Sequence, residues 1–263
     1  MADNEKEIIL RWAKKKEKIR QLNDNVTRLR HNVSLDLKSE NEKTSLTALV
    51  VSIMMATSER VGNSFSASQG HYGVTGLKKN HIKINGNTIT FQYTGKSGVE
   101  HDKQISNERI ATYLEKAIKN SSSNNVFETS EGFKISNDRV NRYLRDFEIS
   151  AKDLRGHFAN ELILKRLNSI DIIEDTEYKR KRQLTTHMKY VAGKLGHGAG
   201  TLRKHYVLPE IIDTFIIDGK VFDIEKLPVY KEGGKILAPS IPPQSISVDK
   251  NPKSAFSLLF FWD

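Results

Sequence analysis

The segment from His81 to Tyr93 constrains the fold most strongly. Apolar and polar residues alternate along it on both sides of the central sequence Asn85-Gly86-Asn87. Alternation with a period of two places the apolar side chains on one face of a strand, and an Asn-Gly turn between two such runs is a strong signal for a β-hairpin. We therefore predict two antiparallel strands, with the apolar positions Ile82 and Ile84 before the turn and Ile89, Phe91 and Tyr93 after it.

Most of the remaining patterning is helical. The run from Thr44 to Met55 predicts a buried helix with Thr44 or Ser45 as its N-cap. Residues 4–33 carry apolar positions at helical spacing and basic residues on the other faces, which predicts one or two amphipathic helices. We favour packing of this segment on the main domain over a projecting arm. Further helices are predicted at about Asn107–Lys119, Ser136–Phe147, Ala151–Leu167 and Thr176–Leu195.

Two other segments have a different character. The polar run Asn120–Asn125 predicts a loop. Beyond Pro209 the pattern changes, and Phe215–Phe222 is predicted to form a second hairpin. The chain then passes through Gly233–Pro252, which is rich in proline, glycine and serine, and closes with an apolar stretch, Phe256–Trp262.

Composition narrows the class of protein. A formal charge of +10 and a pI near 9.5 indicate a polyanionic partner, nucleic acid before membrane, although a merely soluble basic protein is the open alternative. The absence of cysteine excludes disulfides, thiolate zinc sites and cysteine nucleophiles. The first thirty residues are too charged for a signal peptide, and the longest apolar runs are too short for a membrane span. We expect an intracellular protein.

Five positions together suggest phosphodiester chemistry: Arg60, Lys96, Arg155, His197 and Tyr206. Two arginines, a lysine and a histidine are the side chains needed to bind a phosphodiester and to neutralise the charge that builds on it. A tyrosine hydroxyl is a nucleophile able to attack the phosphorus. Taken singly, each has an ordinary interpretation as a solvated charge, a structural histidine or a packing tyrosine, so the hypothesis depends on their conjunction.

The residue types suit distinct steps of such a reaction. Arginine suits charge neutralisation because its planar fork matches two phosphate oxygens and stays charged. Lysine suits protonation of the leaving oxygen because its pKa falls in a crowded cationic site. This set requires no metal. The sequence Gly95-Lys96-Ser97 mimics the end of a P-loop, but Thr90 stands where that loop needs glycine, so we predict independence from ATP.

The order and local sequence of these positions resemble the type IB DNA topoisomerases, in particular the poxvirus and bacterial small-enzyme branch. The resemblance extends from about residue 44 to about residue 209. It implies a fold that is mainly α with a small antiparallel β-sheet, the catalytic fold shared by type IB topoisomerases and tyrosine recombinases. The motifs that carry it are Glu59–Asn63, His71–Leu77, Lys152–Arg155 and the nine-residue spacing between His197 and Tyr206.

The resemblance also implies a role for each of the five residues. Tyr206 is the nucleophile. Arg60, Arg155 and His197 contact the scissile phosphate. Lys96 is the general acid, on the tip of the predicted hairpin, and Arg60 assists the proton transfer.

The residue three positions before Arg155 distinguishes two groups of enzymes. Tyrosine recombinases usually carry His-x-x-Arg at this place, whereas this chain has Lys152, which is typical of topoisomerases and is expected to contact a DNA phosphate. The basic run Lys179–Arg182 precedes the His197 motif, and a solvated helix end is the alternative interpretation of this run. The remaining predicted DNA contacts are His71, Tyr72, Lys78, Lys79, Lys179, Arg180, Lys181 and Arg182.

The implied function is relaxation of supercoiled double-stranded DNA through a transient 3′-phosphotyrosine nick. We expect a monomer that uses no ATP, metal or cofactor and has no membrane partner. The predicted organisation is a basic amphipathic helical segment over residues 1–43, a catalytic domain over 44–212 and a C-terminal hairpin and tail over 213–263. Two alternatives stay open. One is a site-specific tyrosine recombinase, which would need paired protomers and a core-binding domain. The other is a non-catalytic DNA-binding protein.

Overall fold

The chain forms two compact units. The N-terminal unit comprises Asn25–Arg155, and the C-terminal unit begins at Gly156. The division falls inside one continuous helix, Ala151–Asn168. The computed structural model describes residues 28–222, together with Lys14, Asn25 and the strand segments Val229–Tyr230 and Ile236–Leu237.

A buried helix is the centre of the N-terminal unit. This helix, α2 (Glu42–Thr57), follows a helix α1 whose described part covers residues 28–36. Every residue from Leu46 to Thr57 is buried, because a helix that is apolar on all sides must be covered on all sides. The predicted buried helix is confirmed, but its N-cap is Asn41 rather than Thr44 or Ser45. The Asn41 side chain accepts a hydrogen bond of 3.1 Å from the Thr44 N–H.

Polar caps set the starts of the other predicted helices. The Asn107 side chain accepts a 2.8 Å hydrogen bond from the Ile110 N–H, and Ser136 and Thr176 cap the next two helix starts in the same way. Because such residues satisfy N–H groups that have no partner within the helix, the predicted helices begin within a residue of the observed ones. A short helix, α3 (Ser64–Ser68), follows α2. The confirmed helices are α4 (Glu108–Asn120), α5 (Asn137–Arg145), α6 (Ala151–Asn168) and α7 (Glu177–Lys194).

A three-stranded antiparallel sheet completes the N-terminal unit. It consists of β1 (Ile82–Asn85), β2 (Thr88–Thr94) and β3 (Glu100–Ser106), with β2 in the centre. The predicted hairpin is β1–β2. Because Asn85 pairs with Thr88, the two turn residues are Gly86 and Asn87 rather than Asn85 and Gly86. Gly86 has a φ of +56°, which a glycine adopts without strain.

The third strand was not predicted. Its side chains alternate between solvent and the interior, and those that point inward are His101, Lys103 and Ile105. Two of these three are polar, so the apolar alternation that marks a half-buried strand is absent from the sequence. The mainly α fold with a small antiparallel sheet is confirmed.

From Gly156 to residue 222 the C-terminal unit is helical around an apolar core, and the strand segments Val229–Tyr230 and Ile236–Leu237 pair with each other. From Gly156 on, α6 is followed by α7, α8 (Ala199–His205), α9 (Pro209–Asp213) and a short π-helix (Thr214–Asp218). Core residues include Ile163, Leu184, Val191, Leu202, Ile211 and Phe215.

The predicted hairpin at Phe215–Phe222 is wrong, because the π-helix occupies its first half. Phe215 and Ile216 are both buried, which the strict alternation of a half-buried strand does not allow. Gly219, with a φ of +62°, ends the helix. The Arg180 side chain holds this segment from outside, since it donates to the carbonyl oxygens of Ile216 (2.7 Å) and Ile217 (3.0 Å).

Several predictions lie outside the described residues. The helical segment over residues 4–33 is one, although its last apolar positions, Leu29 and Val33, are fully buried in α1. The apolar stretch at Phe256–Trp262 is another. The domain boundaries at residues 43 and 212 lie within the described residues and stay predictions.

Within the described part, no helix is long and apolar enough to cross a membrane. The same residues contain no group of three or more His, Cys, Asp or Glu side chains placed to hold a metal ion, and metal independence stays a prediction.

Candidate active site

Arg60 lies on the loop that leaves the buried end of α2. Ser58 ends the helix in the left-handed conformation, with a φ of +56°, and its N–H still bonds to the Met54 carbonyl at 2.9 Å. This turn points the chain away from the helix axis. Two residues later the Arg60 carbonyl accepts a 2.9 Å hydrogen bond from the Val74 N–H. The backbone that carries Arg60 is therefore held on both sides.

Two glycines allow this loop to close. Gly62 has a φ of +85°, and its backbone lies directly against that of Gly73. A Cβ atom on Gly73 would be 2.5 Å from the Gly62 Cα and 2.7 Å from the Arg60 carbonyl oxygen. Backbone atoms cannot move aside as a flexible side chain does, so both positions require glycine. The glycines in the two motifs around Arg60 and Tyr72 are thereby explained by packing.

Arg155 is anchored beside the same loop. It is only 4% exposed, and its Nε donates a 2.9 Å hydrogen bond to the Ser58 carbonyl. Burial and the Glu59 carboxylate raise the pKa of the Tyr93 hydroxyl, whereas the charges of Arg155 and Arg60 lower it. Both guanidinium groups therefore lie close enough to Tyr93 to act on one hydroxyl. The structure brings these two predicted residues together, and Lys152 is exposed one helical turn before Arg155.

The residue next to Arg60 is a buried carboxylate that the sequence interpretation missed. Glu59 is 4% exposed and lies 2.8 Å from His101 Nδ1 and 2.5 Å from Lys103 Nζ. Burial raises the pKa of Glu59, but the hydrogen bond from His101 and the charge of Lys103 outweigh it and lower this pKa from 4.5 to about 2. These three residues, the Glu59 cluster, surround a buried carboxylate that stays ionised at neutral pH. The signal in the sequence that could have indicated this carboxylate is the pair of polar residues, His101 and Lys103, at alternate positions of β3.

Lys96 lies in a tight turn between β2 and β3, where the side chain is exposed. It is thus on the turn to the third strand and not at the Gly86–Asn87 tip of the predicted hairpin. A 2.7 Å hydrogen bond from the Gly95 N–H to the Val99 carbonyl closes the turn. Ser97 is held in the left-handed conformation at a φ of +64°, which is uncommon for a residue other than glycine.

His197 and Tyr206 meet in the C-terminal unit. His197 follows the end of α7, where its N–H donates to the Ala192 carbonyl at 2.9 Å. Tyr206 directly follows α8, and its N–H donates to the Leu202 carbonyl at 3.0 Å. The two rings are 4.7 Å apart between centroids, at an angle of 41°. The nine-residue spacing therefore brings the predicted phosphate ligand and the predicted nucleophile into contact, and both side chains are half-buried.

A buried amide, also missed by the sequence interpretation, fixes the backbone at Tyr206. Asn160 is fully buried in α6. Its Nδ2 donates to the carbonyls of Tyr206 (2.8 Å) and Gly156 (2.7 Å), and its Oδ1 accepts from the Leu208 N–H at 2.8 Å. One side chain thus satisfies backbone groups on both sides of Val207, with both of its N–H donors and its oxygen engaged. The only signal in the sequence is a polar residue in an apolar stretch of helix.

The predicted DNA contacts of the N-terminal unit surround a polar loop. The Lys78 ammonium donates to the Asn125 side chain, and the Lys79 ammonium donates to the Ser121 carbonyl at 3.1 Å. The Tyr72 ring meets the His81 ring edge-on with 4.4 Å between centroids. His71, like Tyr72, is half-buried. These contacts hold the side chains in place, and their binding of DNA stays a prediction.

The basic run of the C-terminal unit divides into two kinds of residue. Lys179, Lys181 and Arg182 are exposed, and the pairs of Lys179 with Asp175 (3.0 Å) and of Lys181 with Glu177 (3.8 Å) are surface contacts of little weight. Arg180 differs, because its N–H groups donate hydrogen bonds to four backbone carbonyl oxygens. This residue stabilises the start of α7 and the π-helix. The four carbonyls belong to Glu174, Asp175, Ile216 and Ile217.

The fold and these motifs match a known class of enzyme. Residues 10–212 match the family described as the eukaryotic DNA topoisomerase I catalytic core. This is more than half of the chain, which therefore belongs to that family. The predicted resemblance to type IB topoisomerases is confirmed.

A curated relative is the DNA topoisomerase 1B of Acanthamoeba polyphaga mimivirus, which is 26% identical over 188 residues. The match covers 66% of this chain and 55% of the relative, so the chain spans about half the length of that protein. Among solved structures, the post-cleavage complex of the XerH site-specific recombinase with a palindromic difH substrate is 14% identical, with a TM-score of 0.47 over 77% of this chain and 49% of that chain. The pre-cleavage complex is 15% identical, with a TM-score of 0.46 over 69% and 48%.

The position of Asn160 generates a first prediction. In Asn160→Asp, one carboxylate oxygen still accepts from the Leu208 N–H, but the other faces the Tyr206 carbonyl without a proton to donate. On the prediction that Tyr206 is the nucleophile, the rate of covalent attachment to DNA should fall by roughly 10- to 100-fold, because small displacements of a reacting group cost this much. Single-turnover attachment to a cleavable duplex measures it, with duplex binding as a parallel readout.

A matched control is Asn168→Asp, which changes an exposed residue at the end of the same helix. It should leave attachment unchanged. Equal rates for Asn160→Asp and the unaltered protein would show that the amide does not position Tyr206.

The Glu59 cluster generates a second prediction. Because the folded pKa of Glu59 is lowered from 4.5 to about 2, its stabilising contribution is complete above about pH 4.5 and is lost as the pH falls towards 2. The difference corresponds to about 3 kcal/mol. Urea unfolding should therefore show Glu59→Gln less stable than the unaltered protein at pH 7, with a gap that narrows at pH 3. Glu131→Gln, at an exposed position of the same unit, should show little effect, and a Glu59→Gln gap that stays constant with pH would contradict the assignment.

Proposed function

We propose that this protein relaxes supercoiled duplex DNA as a type IB topoisomerase, by cutting one strand through a covalent bond to Tyr206 and resealing it. The observation that carries the proposal is the anchoring of Arg155 on the Ser58 carbonyl, beside the loop of Arg60. Two guanidinium groups held in one partly dry site are suited to neutralise the non-bridging oxygens of a phosphodiester. Membership of the topoisomerase I catalytic core family supports the same assignment.

In the proposed cleavage step, the Tyr206 hydroxyl oxygen attacks phosphorus and its proton passes to water. The bond between phosphorus and the 5′ oxygen breaks as the new bond to tyrosine forms, and Lys96 delivers a proton to that departing oxygen. Arg60, Arg155 and His197 stabilise the charge on the phosphate. Religation is the reverse reaction, in which the 5′ hydroxyl attacks phosphorus, returns its proton to Lys96 and releases the tyrosine.

The same chemistry accounts for relaxation without an external energy source. Since the phosphodiester energy is kept in the phosphotyrosine bond, strand rotation between the two steps needs no ATP. The proposed substrate is double-stranded DNA, and the proposed active form is a monomer. The exposed Lys96, Lys152 and Lys179 place positive charge where a DNA backbone can approach, which supports salt-sensitive binding.

The direct test is relaxation of a negatively and a positively supercoiled plasmid in EDTA without ATP. We expect both to be relaxed, and a denaturing gel to show the protein attached to a 3′ end of the cut strand. Tyr206→Phe is the matched control, because it removes the nucleophilic oxygen and should bind duplex DNA without nicking it. Relaxation that requires magnesium and ATP, or attachment at a 5′ end, would contradict the proposal.

A second test separates proton delivery from charge stabilisation. On DNA with sulfur in the bridging 5′ position, the leaving group is a thiolate, which departs without a proton. Lys96→Ala should cleave ordinary DNA very slowly but recover most of its rate on this substrate. Arg155→Ala should lose about 100-fold or more on both, because the non-bridging oxygens still carry the charge. If the two variants respond alike, the division of roles is wrong.

A further inference from the structure

We propose that Glu59 is a positioning residue for Lys96, and that it acts through the ring of His101 on which Gly95 rests. This inference rests on the proposed function, because it assigns Glu59 to the proton-delivery step of that reaction. Glu59 does not itself touch the reacting atoms in this assignment. It holds the surface that supports the turn of the general acid.

The first link joins Glu59 to β3. Its carboxylate lies 2.8 Å from His101 Nδ1 and 2.5 Å from Lys103 Nζ. Lys103 in turn donates to the Thr57 carbonyl at 2.9 Å, so the end of α2 and the strand are joined at two points. A buried carboxylate with two such partners has little freedom to move, because losing either leaves a buried charge without compensation.

The second link joins His101 to the turn. The Tyr93 ring, which faces His101 across the β2–β3 pair, stacks on it with 4.8 Å between centroids and an angle of 4°. Gly95 lies against the edge of the same imidazole. A Cβ atom on Gly95 would be 2.4 Å from His101 Nε2 and 2.6 Å from its Cδ2. The ring is thus held by Glu59 at one nitrogen and supports the residue before Lys96 at the other.

Lys96 depends on this link, whereas Arg60 does not. The Arg60 loop has supports that do not involve Glu59, namely the Val74 hydrogen bond, the contact of Gly62 with Gly73 and the bond from Arg155 to the preceding carbonyl. In the Lys96 turn, the Gly95 N–H bonds to the Val99 carbonyl and the Gly98 N–H to the Gly95 carbonyl. These bonds close the turn on itself. The Tyr72 N–H donates to the Thr94 carbonyl at 2.8 Å and fixes the end of β2, and the contact of Gly95 with His101 then sets the position of the residue directly before Lys96.

The experiment compares cleavage of ordinary DNA with cleavage of the 5′-bridging phosphorothiolate. We expect Glu59→Gln to cleave ordinary DNA roughly 10- to 100-fold more slowly and to recover most of that loss on the sulfur substrate, as Lys96→Ala does. Arg155→Ala provides the contrast, since it stays impaired on both. A merely structural defect lowers the amount of active protein and so lowers both rates equally.

A second variant, Gly95→Ala, disturbs the contact between Gly95 and His101 without removing a buried charge. Gly95 has a φ of −93° and a ψ of −168°, which alanine adopts without strain. The added methyl of Gly95→Ala therefore acts only by colliding with His101. It should reproduce the loss on ordinary DNA and the recovery with sulfur. His101→Ala removes the ring with which the added methyl collides. It should therefore lower the cleavage rate less in the Gly95→Ala protein than in the unaltered protein.

The matched control is Glu128→Gln. Glu128 is a second buried carboxylate of the N-terminal unit, 5% exposed, and it accepts hydrogen bonds from Ser122, Ser123 and Asn125. Its loss should leave the ratio of sulfur to oxygen rates unchanged.

Three outcomes would overturn the inference. They are a Glu59→Gln protein with the normal rate on ordinary DNA, one that stays equally slow on both substrates, and a Gly95→Ala protein that gains nothing from sulfur. Each leaves the proposed function standing, provided that the unaltered protein cleaves. An unaltered protein that cleaves neither substrate would instead refute the proposed function, and the inference with it.

Discussion

The N-terminal half of the candidate site depends on one buried charge, the carboxylate of Glu59. A carboxylate removed from water destabilises a fold by several kcal/mol unless cations and hydrogen bonds replace the lost solvation. Here the replacement comes from His101 and Lys103 on β3, so this carboxylate joins the end of α2 to that strand. The loop of Arg60 begins at this junction, and the Arg155 side chain donates to the Ser58 carbonyl.

The C-terminal unit uses a neutral group for a comparable purpose. Asn160 is fully buried and makes three hydrogen bonds to the backbone, two of them on either side of Val207. In both units the buried polar side chains fix the backbone, while the chemistry is proposed for side chains that stay at least partly accessible, such as Lys96 and Tyr206. This separation is physically reasonable, because a group that must meet DNA cannot also be sealed in a core, and a group that fixes geometry works best where water does not compete.

Much of the fold followed from local patterns. The β1–β2 hairpin and helices α4 to α7 were predicted because their signals are local: alternation around a glycine turn, and a capping residue before an apolar helical period. The five candidate residues were found by their order and local motifs, and family membership agrees with that interpretation. The failures share a cause. Strand β3 was missed because polar residues point inward, and the π-helix was mistaken for a hairpin because its apolar run has no clear period and the contacts of Arg180 come from a distant segment.

The sequence by itself determined most of the helices and the central hairpin, since each depends on neighbours within a few positions. It also determined the class of the protein and the set of candidate catalytic residues, since these follow from the order of several local motifs along the chain. Only the tertiary structure decided what holds those residues in place. The pairing of Glu59 with His101 and Lys103 and the hydrogen bond from Asn160 to the Tyr206 carbonyl join positions more than 40 residues apart. The contact of Gly95 with the His101 ring crosses the turn between two strands. Such contacts leave no period or motif in the chain, because a buried polar residue is recognised as a partner only when folding brings the second group within hydrogen-bond distance.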